Sequence, residues 1–92
     1  MKRHQVESQL EAIRSALSAA RPDLTFTLPT TTRAGVCSFF GYRRDKEHVP
    51  GQELVHILYR ADQFEVRGPY GATPSRHQTP TPAQAAALLW LV

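Results

Sequence analysis

The fold of this chain is decided by residues 51–68, GQELVHILYRADQFEVRG. An apolar and β-branched run from Leu54 to Tyr59 precedes a polar break at residues 60–63, and apolar and charged side chains then alternate as far as Arg67. This pattern predicts a β-hairpin. Two registers are open, because a loop at residues 61–62 pairs Tyr59 with Phe64, whereas a loop at residues 62–63 pairs Tyr59 with Val66.

Both registers place the same side chains on each face, because side chains alternate along a strand. One face is strongly apolar and requires a cover; it consists of Val55, Ile57, Tyr59, Phe64 and Val66. The opposite face is mixed; it carries Leu54, His56, Leu58, Glu65 and Arg67. We therefore expect the helices of the protein to pack on the first face.

Two helices are predicted, one before the strands in the sequence and one after them. Residues 4–20 carry an apolar stripe with helical spacing, formed by Val6, Leu10, Ile13, Leu17 and Ala20. In the second helix, Thr81 is the expected N-cap, Pro82 the first helical residue and Gln84 the partner in a capping box. Its body, residues 85–92, is apolar on every side, which predicts that it is buried within the domain or partly against another subunit.

Two further strands are predicted at residues 24–28 and 34–42, and residues 69–80 form a long connection with three prolines. The sequence does not decide which side of residues 34–42 faces the core, since Val36, Phe40 and Tyr42 lie on one side and Cys37 and Phe39 on the other. We predict one α+β domain over residues 1–92. It has an N-terminal amphipathic helix, an antiparallel four-stranded meander and a C-terminal apolar helix, with both helices on one face of the sheet.

Composition limits the classes of protein to which the chain can belong. Its 92 residues are 41% hydrophobic, which suits one small core, and its net charge of +3 is dispersed along the chain. Apolar runs are far too short to cross a bilayer, and we expect no signal peptide. The single Cys37 excludes an internal disulfide, so we predict a cytoplasmic protein with no membrane partner.

We predict no enzymatic activity, no metal site and no cofactor. The four histidines have no metal-ligand spacing; they are His4, His48, His56 and His77. Cys37 lies in a β-strand pattern, where a cysteine is usually a small buried hydrophobic residue rather than a nucleophile. The glycines are scattered singly and form no phosphate-binding loop.

Two segments are candidate binding sites. In the first, Tyr42 is followed by Arg43, Arg44 and Lys46, a combination of aromatic and basic residues that can hold single-stranded nucleic acid. Acidic residues at positions 45 and 47 reduce its charge, which also suits a solvated loop. The second segment is the connection 69–80, which carries Tyr70 and Arg76, two residue types that are enriched at protein interfaces.

The interpretation that we favour is a small non-enzymatic protein-binding module. One form of it is a bacterial or phage inhibitor or accessory protein that blocks a larger assembly. The alternative is a nucleic-acid-binding domain that uses the loop from Arg43 to Lys46 with its neighbouring aromatic residues. A homodimer through the C-terminal or the N-terminal helix is a further prediction, since a chain of this size has a limited core.

Overall fold

A computed structural model shows two helices and six short strands, and it describes residues 2–44, 53–69 and 72–91. The helices are α1 (Arg3–Ala20) and α2 (Pro80–Trp90). The strands are β1 (Leu24–Phe26), β2 (Thr30–Thr31), β3 (Cys37–Arg43), β4 (Val55–Arg60), β5 (Gln63–Arg67) and β6 (Ser75–His77).

All strand pairs are antiparallel and form one sheet in the order β1-β3-β4-β5-β6, with β2 also pairing with β3. The hairpin adopts the first of the two registers, with Tyr59 opposite Phe64 and Ile57 opposite Val66. Its two loop residues, Ala61 and Asp62, have φ angles of 50° and 61°. Positive φ at both loop positions is the requirement of the type I′ turn, whose twist matches that of the strands.

The core lies between the apolar face of the hairpin and the two helices. Val55, Ile57, Phe64 and Val66 are fully buried, and Tyr59 packs against the same cluster. Four of the five predicted residues of the α1 stripe contribute to this core; they are Val6, Leu10, Ile13 and Leu17. The α+β class with both helices on one face is therefore confirmed, and the α1 stripe is covered within the chain.

The other face of the sheet is covered by neither helix, and we call it the open face. Its side chains follow from the pairing registers; they are Thr25, Thr30, Ser38, Phe40, Tyr42, His56, Leu58, Arg60, Gln63, Glu65, Arg67 and Arg76. In β3 the register settles the direction of each side chain. Cys37 and Phe39 point into the core, and Phe40 and Tyr42 lie on the open face.

The prediction of four strands is wrong, because the sheet has six. The region 24–31 is divided into β1 and β2, and Leu28 between them is exposed rather than half-buried. β6 lies within the connection 69–80, which has no strand-like alternation of apolar residues. Backbone pairing of β6 with β5 is sufficient to make it a strand.

Helix α2 differs from its prediction in its first residue and in its burial. It begins at Pro80 after Thr79, two residues before the predicted start, and Thr79 makes no side-chain capping bond. Proline is accommodated in the first helical turn, where its missing N–H has no helical partner. Burial of the helix within the domain is incomplete, since Leu89 and Trp90 are exposed, and burial of this side against another subunit stays a prediction. The buried side of α2 consists instead of Ala83, Ala87 and Leu91, at four-residue intervals.

The turn between β4 and β5 provides a test of the hairpin register. Because Ala61 adopts a positive φ, replacing it by glycine removes steric strain, and we expect Ala61→Gly to raise the free energy of unfolding by about 1 kcal/mol. Urea unfolding of the variant measures this change.

The matched control is Ala34→Gly in the exposed turn before β3, where alanine does not have a positive φ. There the same substitution only adds freedom to the unfolded chain, so stability should fall by about 0.4–1 kcal/mol. Equal effects of the two substitutions would contradict the turn that the structure shows.

Candidate functional site

The structure does not bring the sequence-predicted site residues into one place. Arg43 and Arg44 are exposed at the end of β3, and Tyr42 is half-buried on the open face opposite Thr25. Arg76 is exposed on β6, three strands away from β3, which corresponds to about 14 Å across the sheet. Lys46 and Tyr70 lie outside the described residues. The predicted set therefore does not form one continuous site among the residues described.

A groove separates α2 from β6 on the helix side of the sheet. Its volume is about 330 Å³, and it is lined by Ser75, His77, Ala86, Leu89 and Trp90. Ser75 and His77 face it because β6 pairs them with Val66 and Phe64, which point into the core. Leu89 is 77% exposed and Trp90 40% exposed, so the helix side of the groove presents bulky apolar side chains to solvent.

Two features hold Trp90 in this position. Trp90 follows Ala86 by four residues, so both lie on one side of α2, next to the row that is buried in the core. The indole ring packs against Gly68 at the end of β5, where an added Cβ would lie 2.5 Å from a ring carbon. Any larger residue at position 68 would therefore displace the ring and change the shape of the groove.

The groove runs along an edge of the sheet. β6 pairs with β5 on one side, and no described strand pairs with its other side. An unpaired edge presents backbone N–H and C=O groups that can accept a further strand. Apolar side chains and an unpaired strand edge thus lie side by side at this place.

A second cluster lies on the open face and is centred on Glu65, which is 2% exposed. Nε of Arg67 donates a hydrogen bond to Oε2 of Glu65 at 2.6 Å, and Nε of Arg76 donates one to Oε1 at 3.1 Å. The guanidinium of Arg60 forms a longer ion pair with Oε1, at 3.6 Å. Three guanidinium groups from three strands therefore surround one carboxylate, and the cluster carries a net charge of +2.

The surroundings of Glu65 and His56 shift the pKa values of both side chains. Burial raises the pKa of Glu65, but the hydrogen bond from Arg67 and the charges of the three arginines outweigh burial, so the pKa lies below its ordinary value. Burial and, to a smaller extent, the charge of Arg67 lower the pKa of His56. At neutral pH the Glu65 carboxyl is therefore ionised and the His56 imidazole is uncharged.

The remaining chemically active side chains do not assemble into a site. In residues 2–44, 53–69 and 72–91, no three or more His, Cys, Asp or Glu side chains form a group that could hold a metal ion. Cys37 is a free thiol and is buried, as expected for a small hydrophobic residue. It lines a cavity of about 230 Å³ with residues that include Arg3, Thr31 and Tyr59.

Neither described helix is long and apolar enough to span a bilayer.

Comparison of the chain with known protein families, with curated proteins and with solved structures gave no match. We therefore infer its function from the surfaces described above.

Sequence reasoning missed both the groove and the Glu65 cluster. An apolar helix does not show by its composition which of its sides remains uncovered. The shared parity of Glu65 and Arg67 placed both on the mixed face, but Arg76 joins them only through the pairing of β6 with β5. In both cases the sequence did not indicate that the connection 69–80 contains the strand β6.

The Glu65 cluster leads to a prediction about stability. We expect Glu65→Gln to lower the free energy of unfolding at pH 7 by about 1–3 kcal/mol, because charged hydrogen bonds to a buried carboxylate are lost. The matched control is Glu11→Gln, which removes the same charge from a partly exposed pair with Arg14 on α1 and should cost less than about 0.5 kcal/mol.

The pH dependence has a definite sign. Since the folded pKa of Glu65 is lowered, its contribution to stability is present above the ordinary value of 4.5 and is lost as the pH falls through the folded value. The difference between the wild type and Glu65→Gln should therefore shrink in acid, as measured by urea unfolding at a series of pH values. A difference that stays constant from pH 7 to pH 3 would contradict the role of the carboxylate.

Proposed function

We propose that the protein is a small non-enzymatic protein-binding module that holds an extended segment of its partner along β6. The observation that carries this proposal is the exposure of Leu89 and Trp90 beside an edge of β6 with which no described strand pairs. An added strand forms main-chain hydrogen bonds with the edge, and pockets beside it select alternate side chains. The groove between α2 and β6 supplies such a pocket.

The size of the groove supports one extended segment as its occupant. A volume of about 330 Å³ is at the lower end of binding pockets and suits one or two bulky apolar side chains. A stable dimer buries about 800 Å² on each subunit, far more than the described residues that line the groove provide. We therefore propose a partner segment with a large aliphatic or aromatic residue that enters the groove, in preference to a second copy of the chain.

A module of this kind can inhibit or assist a larger assembly by binding a segment that the assembly requires for its own contacts. We propose this role for the protein, as an inhibitor or accessory protein of bacterial or phage origin. A cytoplasmic site of action is part of the proposal, because the buried Cys37 is a free thiol and suits a reducing compartment.

The proposal predicts binding of short peptides that is sensitive to substitution in the groove. Peptides of twelve residues selected from a random display library should contain a bulky apolar residue. They should shift the emission of Trp90, the single tryptophan of the chain, to shorter wavelength as the ring becomes buried. Leu89→Arg should weaken binding by about tenfold or more, the effect expected for a central contact residue.

The matched control is Leu28→Arg. Leu28 is also an exposed leucine, but it lies between β1 and β2, near the edge of the sheet opposite β6. This variant should bind the selected peptides as the wild type does. Peptides that bind Leu89→Arg and the wild type equally would contradict the proposal. A concentration-dependent dimer that Leu89→Arg abolishes would assign the groove to a second copy, and would overturn the proposed partner.

N-methylation of the selected peptide distinguishes strand addition from simple apolar contact. In an antiparallel pair only every second residue bonds to a given neighbouring strand, so methylation of alternate amides should abolish binding. Methylation of the intervening amides should leave binding intact. Equal losses from both series would contradict addition of a strand to β6.

A further inference from the structure

The open face of the sheet combines a surplus of positive charge with aromatic rings. Around Glu65 the three guanidinium groups leave a net charge of +2, and their side chains remain 51%, 38% and 61% exposed for Arg60, Arg67 and Arg76. A guanidinium has five N–H donors, and the hydrogen bonds of Arg67 and Arg76 to Glu65 each use Nε. These two side chains are held in place by the carboxylate and retain donors for a second anion.

The aromatic rings lie beside this cluster, in the same row of the sheet as Arg67. Phe40 is opposite His56 on the neighbouring strand, and His56 is opposite Arg67 on the next. The rings of Phe40 and His56 meet edge to face, with centroids 5.9 Å apart. Burial keeps the imidazole uncharged at neutral pH, so the row presents two uncharged aromatic rings followed by a cation.

We propose that the open face binds single-stranded nucleic acid, with a base stacked on the ring of Phe40 beside His56 and backbone phosphates held by Arg67 and Arg76. This inference is independent of the proposed groove between α2 and β6. Stacking on aromatic rings beside a cationic track is the general means by which proteins hold single strands. The charge complementarity with phosphate comes from the three guanidinium groups around Glu65, of which its carboxylate balances one.

The shape of the face favours a single strand over a duplex. Both helices pack on the opposite side of the sheet, so neither can enter the major groove of a duplex that is bound to the open face. In a duplex the bases are stacked on one another and offer no free face to Phe40. The exposed Arg43 and Arg44 at the end of β3 are a separate feature, and the proposed site does not require them.

Fluorescence anisotropy with labelled dT12 and rU12, at salt concentrations from 50 to 300 mM, tests the proposal. We expect binding of at least one of these probes, with an affinity that falls as salt rises by a slope of about −0.7 for each phosphate contact. A twelve-base-pair duplex should bind more weakly. A glutamate dodecapeptide should compete poorly, since it has charge but no bases.

Two substitutions separate stacking from charge. Phe40→Leu should weaken binding about tenfold and leave the salt slope unchanged, because it removes a ring and no charge. Arg76→Gln should weaken binding and reduce the slope by about 0.7. The matched control is Arg33→Gln, which removes the same charge from the exposed turn before β3 and should have no effect beyond the error of the measurement.

Thermal unfolding verifies that each variant is folded. If Arg76→Gln is unfolded, Arg67→Gln replaces it, since Arg67 is the other side chain that holds phosphate in the proposed site. Four results would each overturn the proposal: no binding of either probe at 50 mM salt, tighter binding of the duplex, full competition by the glutamate peptide, or equal effects of Arg33→Gln and Arg76→Gln. An unchanged affinity in Phe40→Leu would show that no base stacks on Phe40, and would also overturn the proposal.

Discussion

The burial of one face of the β4–β5 hairpin is the constraint on which the rest of the structure depends. Val55, Ile57, Phe64 and Val66 lie on that face, and each is fully buried. Burying a side chain of this size stabilises the fold by about 1.5–3 kcal/mol. A chain of this length has a small core and therefore requires this contribution to remain folded. Both helices are therefore committed to the same side of the sheet, and the open face and the groove are what their arrangement leaves uncovered.

The two uncovered surfaces differ in chemistry because they have different origins. The groove exists because α2 turns Ala83, Ala87 and Leu91 toward the core, so that Leu89 and Trp90 on its other sides remain exposed. The open face carries polar, charged and aromatic side chains that alternate with the core residues along the strands, and its residue Glu65 is as buried as the core. Buried charge requires partners, and the three arginines that satisfy Glu65 also make the face positive.

The sequence was sufficient to predict the features that depend on local periodicity. The alternation in β4 and β5 identified the buried face, and the spacing in α1 identified Val6, Leu10, Ile13 and Leu17 as its cover. Features that depend on pairing between distant segments were not predictable in this way. Ser75 and His77 have no strand-like pattern of their own, and only pairing with β5 places them beside α2 and brings Arg76 to Glu65.

One-sided coverage of the sheet is most directly tested by two adjacent positions of β4. Ile57 lies in the core and His56 lies on the open face, so their side chains point to opposite sides. In urea unfolding we expect Ile57→Ala to cost about 2–4 kcal/mol, from lost burial and the cavity left behind, and His56→Ala to cost less than about 1 kcal/mol. Equal costs, or a larger cost at His56, would contradict the one-sided cover on which both proposed surfaces depend.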